Sequence, residues 1–111
     1  MASRPQPPPP ESRRCVHVVI SGKVQGVWYR ASGAREASRE ALTGWIRNCD
    51  TGVVEALVCG RESAVVRWLA WCRKGPIHAD VESVIETEVD VPEGLASFLV
   101  RGNVPEPGLD A

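Results

Sequence analysis

The 111-residue chain has almost no net charge: thirteen Lys and Arg against fourteen Asp and Glu leave a formal value of −1. That balance excludes a global field that would gather nucleic acid or an anionic membrane, so any preference for anions has to be local. No CxxC pair is present. The four cysteines, Cys15, Cys49, Cys59 and Cys72, are scattered, and no histidine stands at zinc-finger spacing. This excludes a zinc ribbon or a metallochaperone thiol pair, and it leads us to expect free thiols in a reducing cytosol and no metal site. No apolar stretch is long enough to span a bilayer, and the opening MASRPQPPPPESRR lacks the apolar core of a secretory leader. The expectation is a soluble, cytoplasmic protein without a membrane partner. Aromatic residues make up only 5% of the chain, and the strand-like segments 16–21 and 53–59 contain none. Bases would have nothing there to stack on, which argues against RNA binding. Gly-Lys-Ser/Thr is also missing after the glycines at 22 and 26, so the loop is not a nucleotide P-loop.

What is present reads as one small domain. Residues 1–14, with the run Pro7–Pro10, predict an extended, disordered tail, and 103–111, with Pro105, Pro107 and Gly108, a second flexible one. Between them, 15–102 form the folded unit. Val16, Val18 and Ile20 alternate with His17, Val19 and Ser21 in a β-branched run that reads as a central strand. From about Tyr29 to Ala41 a helix places Ala34, Ala37, Ala41 and the following Leu42 on one narrow face. Gly33 weakens it by about 1 kcal/mol relative to alanine, a cost that points to close packing on a sheet. Thr43–Asn48 and Val53–Cys59 flank a glycine-containing loop and read as an antiparallel hairpin. A second helix over about 62–74 carries the stripe Val65, Trp68, Leu69, Cys72 and stops at Gly75-Pro76. Ala79–Asp90 is strand-like, with Ile85, Thr87 and Val89 alternating against a solvated acidic face. After a turn at Pro92–Gly94, Ala96–Arg101 forms a last strand, expected as its hairpin partner. The order βαββαβ is the α+β, ferredoxin-like pattern: an α/β sandwich with two helices packed on one face of an antiparallel sheet.

Within this frame the stretch GKVQGVWYR, Gly22–Arg30, is built to hold an anion. Glycine lets loop amides turn inward, and the helix behind them offers unsatisfied N–H groups and the positive end of its dipole. Arg30 in that first turn is the wrong charge for the dipole by about 0.3–1 kcal/mol. The helix runs about 17 Å away from the loop, and the next strand returns about 17 Å, so Asn48 comes back to the level of Arg30. Read alone, Arg30 fits a solvated helix residue equally well, and Asn48 before a glycine-containing loop fits a turn. Together they suggest a narrow chemistry. Arginine and convergent amides can stabilise a phosphoryl group. Asparagine can orient a water but cannot serve as a general base. The leaving group must then depart unaided, as a carboxylate with a conjugate-acid pKa of about 4 does.

These residues resemble the acylphosphatase family. The likeness rests on GKVQGVWYR, on TGWIRNCDTGVVE (43–55) and on GPIHADVESV (75–84), and covers nearly all of 15–102. It implies a metal-free, cofactor-free hydrolase that splits acyl phosphates into carboxylate and inorganic phosphate. By motif position it implies Arg30 as the catalytic arginine that binds the phosphoryl group and Asn48 as the catalytic asparagine that holds the attacking water. It also implies a phosphate-cradling loop of Lys23, Val24, Gln25, Gly26, Val27, Trp28 and Tyr29, acting mainly through backbone amides. Two departures from the family pattern stand at Asp50-Thr51-Gly52, where an aspartate usually precedes the glycine directly, and at Gly33, where a bulkier residue is usual. A related carbamoyl-transfer enzyme begins with such a domain, and this chain is expected to end before any further one. No long apolar stripe is left over once the two layers are packed, so a monomer is expected. A regulatory anion-binding module on the same fold fits the same residues, and turnover separates the two.

Overall fold

The computed structural model describes residues 12–92 and 94–109. The proline run at 7–10 lies outside them. The elements follow in the order β1 (Arg13–Lys23), α1 (Tyr29–Arg39), β2 (Thr43–Asn48), β3 (Val54–Arg61), α2 (Glu62–Lys74), β4 (Asp80–Glu88) and β5 (Phe98–Val100). One sheet holds all the strands in the order β4-β1-β3-β2-β5. The first four pair antiparallel, as the βαββαβ pattern requires. Alternation turns Val16, Val18 and Ile20 of β1 and Val54, Ala56 and Val58 of β3 to one face, where they are fully buried with Val65, Trp68, Leu69 and Cys72 of α2.

Gly33 has the role its cost implied. A Cβ there would stand 3.0 Å from Ile46 of β2 and 3.2 Å from Trp71 of α2, and its carbonyl accepts the Trp68 indole N–H at 2.9 Å. A side chain would push α1 off both neighbours. The helix is shorter than expected. It ends at Arg39, and Ala41 adopts φ 56 and is exposed rather than joining the apolar face.

Three expectations are corrected. The last strand does not pair beside β4: β5 lies at the opposite edge, parallel to β2, with Gly44 opposite Phe98, so the sheet is mixed. The preceding segment packs Val89 and Leu95 against Cys15, Trp45, Leu57 and Cys59 on the helix-free face, which buries apolar surface that a tight hairpin would leave wet. Phe98 then reaches Trp68 with ring centroids 5.6 Å apart. Second, β4 is turned over relative to the expected alternation. Val84 pairs with the core-facing Ile20 and Ile85 with Val19 on the other face, which leaves Ile85 59% exposed; a register shift at Ser21/Gly22 then brings Val81 to the core alongside Val84. Third, Cys15 and Cys59 are not free thiols. The β1–β3 register sets them directly opposite each other, Cα atoms 4.1 Å apart, and they form a disulfide. Cys49 and Cys72 are free and buried.

The ends of the folded unit also differ from the expected tails. Arg13 and Arg14 already pair with Arg61 and Gly60. Beyond Gly102 the chain stays bonded to the sheet: Val104 accepts from the Asp50 amide and donates to the Asn48 carbonyl, and the Gly108 amide donates to Glu55. Among the described residues no helix is long and apolar enough to cross a membrane.

Candidate active site

The loop between β1 and α1 meets the end of β2 at one cavity of about 390 Å³, lined by Val24, Gly26, Trp28, Tyr29, Arg30, Ala31, Asn48 and Val100. The sequence expectation that Asn48 returns to the level of Arg30 is met: both line this one space.

The helix end there is open. Trp28 occupies the N-cap with φ 67 and makes no side-chain cap, and the first turn of α1 contains no acidic residue. Four N–H groups at a helix start lack intrahelical partners. The amides of Gly26, Val27 and Trp28 donate to no described acceptor either. Gly26 takes φ 73 with open space where its Cβ would be. For Trp28 the same left-handed region costs about 1–2 kcal/mol. That bend sends two neighbouring side chains to opposite sides. Tyr29 turns into the core, where its hydroxyl donates to the Cys72 carbonyl at 2.6 Å, and Trp28 turns out, 79% exposed. Burial, with Cys72 beside it, pushes the Tyr29 phenol far above its ordinary value, so it is no proton donor to the site.

Arg30 is half-buried in the first turn, and its guanidinium has no hydrogen bond or ion pair among the described residues. A cation beside an uncapped helix start adds to the positive potential there, a local arrangement that attracts a tetrahedral anion. Asn48 supplies the opposite character. Its Oδ1 is buried and accepts no hydrogen bond from any described residue. Leaving such an acceptor unmet costs about 1–3 kcal/mol, and a bound water can meet it.

Asn48 is aimed by its neighbours. Side chains along a strand alternate, so Arg47 and Cys49 point to the helix-free face. There both engage the fully buried Glu55. Arg47 Nε donates to Oε1 at 2.7 Å, and the Cys49 thiol lies 3.8 Å from the same oxygen. His17 Nε2 sits 2.6 Å from Oε2, the Gly108 amide donates to Oε2 at 2.7 Å, and Arg47 Nη2 donates to the Gly108 carbonyl at 2.8 Å. Burial alone would raise the Glu55 carboxyl, but the bonds from His17, Arg47 and Gly108 and the Arg47 charge outweigh it and hold Glu55 below its usual range. Burial, with the Glu55 charge next, pushes the Cys49 thiol up, so the cysteine beside Asn48 is not a ready thiolate nucleophile.

Of the expected loop residues, Val24, Gly26, Trp28 and Tyr29 line the cavity. Lys23 is the last residue of β1, exposed and opposite Asp80, and Val27 is packed into the core. Gln25 has a role that local spacing does not reveal. Its Nε2 donates to the carbonyls of Cys49 and Val53 at 2.8 and 2.9 Å, which ties the loop carrying the free amides to the hairpin carrying Asn48. Gly22, expected to frame the loop, instead lets β1 and β4 approach, since a Cβ there would be 2.2 Å from the Asp80 carbonyl. Val100 and Ala31 complete the cavity. Val100 was illegible in the sequence because the reading placed its strand at the wrong edge of the sheet.

Comparison with known proteins agrees with this geometry. A family model described as Acylphosphatase matches residues 16–104. A protein of Methylococcus capsulatus called acylphosphatase is 47% identical over 89 residues, covering 80% of this chain and 97% of its own. A solved acylphosphatase structure from Coxiella burnetii superposes with a TM-score of 0.77 at 38% identity, covering 80% of this chain and 93% of that one. That from Bacillus subtilis gives 0.77 at 31% identity, with 79% and 98% covered. With its motifs, its βαββαβ core and its cavity between loop and hairpin, the chain belongs to the acylphosphatase family.

Proposed function

We propose that this acylphosphatase hydrolyses the carboxyl-phosphate bond of acyl phosphates through Arg30, the amides of the 23–29 loop and Asn48. Arg30 and the amides bind the phosphoryl group, and Asn48 holds the water. The observation that carries the reading is the buried Oδ1 of Asn48, which shares a cavity with Arg30, neither having a partner for that group among the described residues. Oδ1 accepts a hydrogen bond from the water, which aims an oxygen lone pair at phosphorus. As the new P–O bond forms, the bond between phosphorus and the acyl oxygen breaks. Its electron pair leaves on the carboxylate, and the water's proton ends on phosphate or solvent. The guanidinium and amides meet the charge spread over the phosphoryl oxygens. The leaving carboxylate needs no general acid.

Steady-state hydrolysis of benzoyl phosphate in EDTA, paired with phosphate binding by calorimetry, tests the division of roles. Arg30→Ala is expected to lose about 10³-fold in turnover and to weaken phosphate binding. Asn48→Ala loses about 10²–10³-fold with phosphate affinity nearly intact. Equal loss of phosphate binding in both variants refutes the assignment, and a folded native chain that binds phosphate without turnover is an anion-binding module.

The same proposal makes the small-molecule acyl phosphate the substrate, inorganic phosphate the product and a monomer the working form, which sedimentation at micromolar concentration checks. It also takes the cytoplasm as the place of action. The free Cys49 and Cys72 favour that, and the Cys15–Cys59 bond opposes it, since such bonds are rare in reducing compartments. Alkylation in intact cells before lysis decides: four labelled cysteines per chain in the cytosolic fraction support the location, and two labelled cysteines in an exported fraction reject it.

A further inference from the structure

With the phosphoryl group held as proposed above, the acyl half of the substrate must occupy what is left of the cavity, and the character of that remainder is on view. Its volume of about 390 Å³ falls within the ~300–1,000 Å³ of small-molecule sites, more than a phosphoryl group needs. Among the described residues, Arg30 is the single charged one in its lining. Besides Gly26, Tyr29 and Asn48, the lining is Val24, Ala31, Val100 and Trp28. An acyl group with a carboxylate or phosphate of its own would find no second cation there. An apolar one would find surface that is now in water: Trp28 is 79% and Val100 50% exposed. Scattered exposed apolar side chains are ordinary, but here a tryptophan and a valine line the same cavity. The left-handed backbone at Trp28, φ 67, sends the side chain outward, while the next residue, Tyr29, is anchored in the core by its hydrogen bond to the Cys72 carbonyl.

We propose that Trp28 is a specificity-determining residue that stacks on the acyl group and, with Val100, gives this enzyme a preference for acyl phosphates with uncharged aromatic or large apolar acyl groups. This deepens the acyl-phosphate reading and rests on it. The step itself is unchanged, so the preference appears as a ratio of kcat/KM between substrates that share a phosphoryl end and differ in the acyl end.

The test compares benzoyl phosphate with acetyl phosphate in the native enzyme, Trp28→Ala and Trp28→Phe. The Trp28 backbone belongs to the phosphate loop, so each substitution can change both rates, but a change common to both substrates divides out of the ratio. The native enzyme is expected to favour benzoyl phosphate. Trp28→Ala should lower the benzoyl-to-acetyl ratio about tenfold, the scale of one lost aromatic contact, mainly through KM. Trp28→Phe should restore most of it. An unchanged ratio in Trp28→Ala, with both substrates still turned over, overturns the role of Trp28 and leaves the hydrolase intact. Failure of the native enzyme on both substrates overturns the acyl-phosphate reading and this inference together.

Discussion

Replacing Glu55 by glutamine tests whether the helix-free face of the sheet is held by a charge. The carboxylate is fully buried and meets Arg47, His17 and the Gly108 amide at 2.6–2.7 Å. Glutamine keeps the shape but has one acceptor oxygen. Its NH₂ must face either the Arg47 guanidinium or the donors at Oε2, and Arg47, itself only 5% exposed, loses its counter-charge. Breaking a buried pair from one side costs about 3–5 kcal/mol, and for a domain of this size roughly 4–8 °C of Tm accompanies each kcal/mol. We therefore expect Tm to fall by at least about 12 °C in thermal melts followed by circular dichroism. The pH dependence has a definite sign. Because the folded-state pKa of Glu55 is held below its unfolded value, the stabilisation is complete above the unfolded glutamate pKa of about 4.3 and is lost as pH falls through the lower folded value. The gap between wild type and Glu55→Gln should be constant from about pH 6 to 8 and close below about pH 4. A fall in Tm of less than about 4 °C at neutral pH would mean that desolvation cancels the contacts, and a gap that widens on acidification would reverse the sign. Either result refutes the reasoning.

Other expectations follow from single contacts. Gln25→Ala removes both bonds between the loop and the hairpin. It should lower kcat for benzoyl phosphate about 10–100-fold by misplacing Asn48 relative to the loop, whereas an unchanged kcat in a less stable protein would make Gln25 structural only. Gly44→Ala would put a Cβ 1.8 Å from the Leu57 carbonyl at φ 135 and should cost about 4 kcal/mol or more in urea unfolding. Gly52→Ala, at φ 100 with open space around it, should cost only about 1–2 kcal/mol; similar costs for the two would show that φ, not contact, sets the penalty. Alkylation of purified, denatured, unreduced protein should label Cys49 and Cys72 alone, and four labels would refute the Cys15–Cys59 bond.

Much of the fold is written in local periodicity. Thr43–Asn48 and Glu62–Lys74 appear with the boundaries their patterns predict, because alternation and the 3.6-residue stripe Val65, Trp68, Leu69, Cys72 are properties of neighbouring residues. Gly75 closes α2 at φ 67 by donating its amide to the Trp71 carbonyl, as a Gly-Pro stop implies. Arg30 and Asn48 were legible as a pair because the rises of one helix and one strand cancel. The misses share one cause. The phase of β4, the edge taken by β5, the opposition of Cys15 and Cys59 and the docking of Val104 and Gly108 are all matters of which distant backbone lies alongside, and spacing along the chain does not encode it. Glu55 was invisible as a hub for the same reason: its partners His17, Arg47 and Gly108 come from three separate stretches.

Residue type and short-range spacing were enough for the alternation of strands and helices, the family, and the two side chains suited to phosphoryl chemistry. Tertiary structure alone decided register. Pairing with β1 set which face of β4 looks inward, one crossing of the sheet brought Val100 into the cavity, and Arg47 and Cys49 meet Glu55 on one face while Asn48 faces the other. A side chain's chemistry is local, but the face it presents and the partner it meets are set by pairing between residues far apart in the chain.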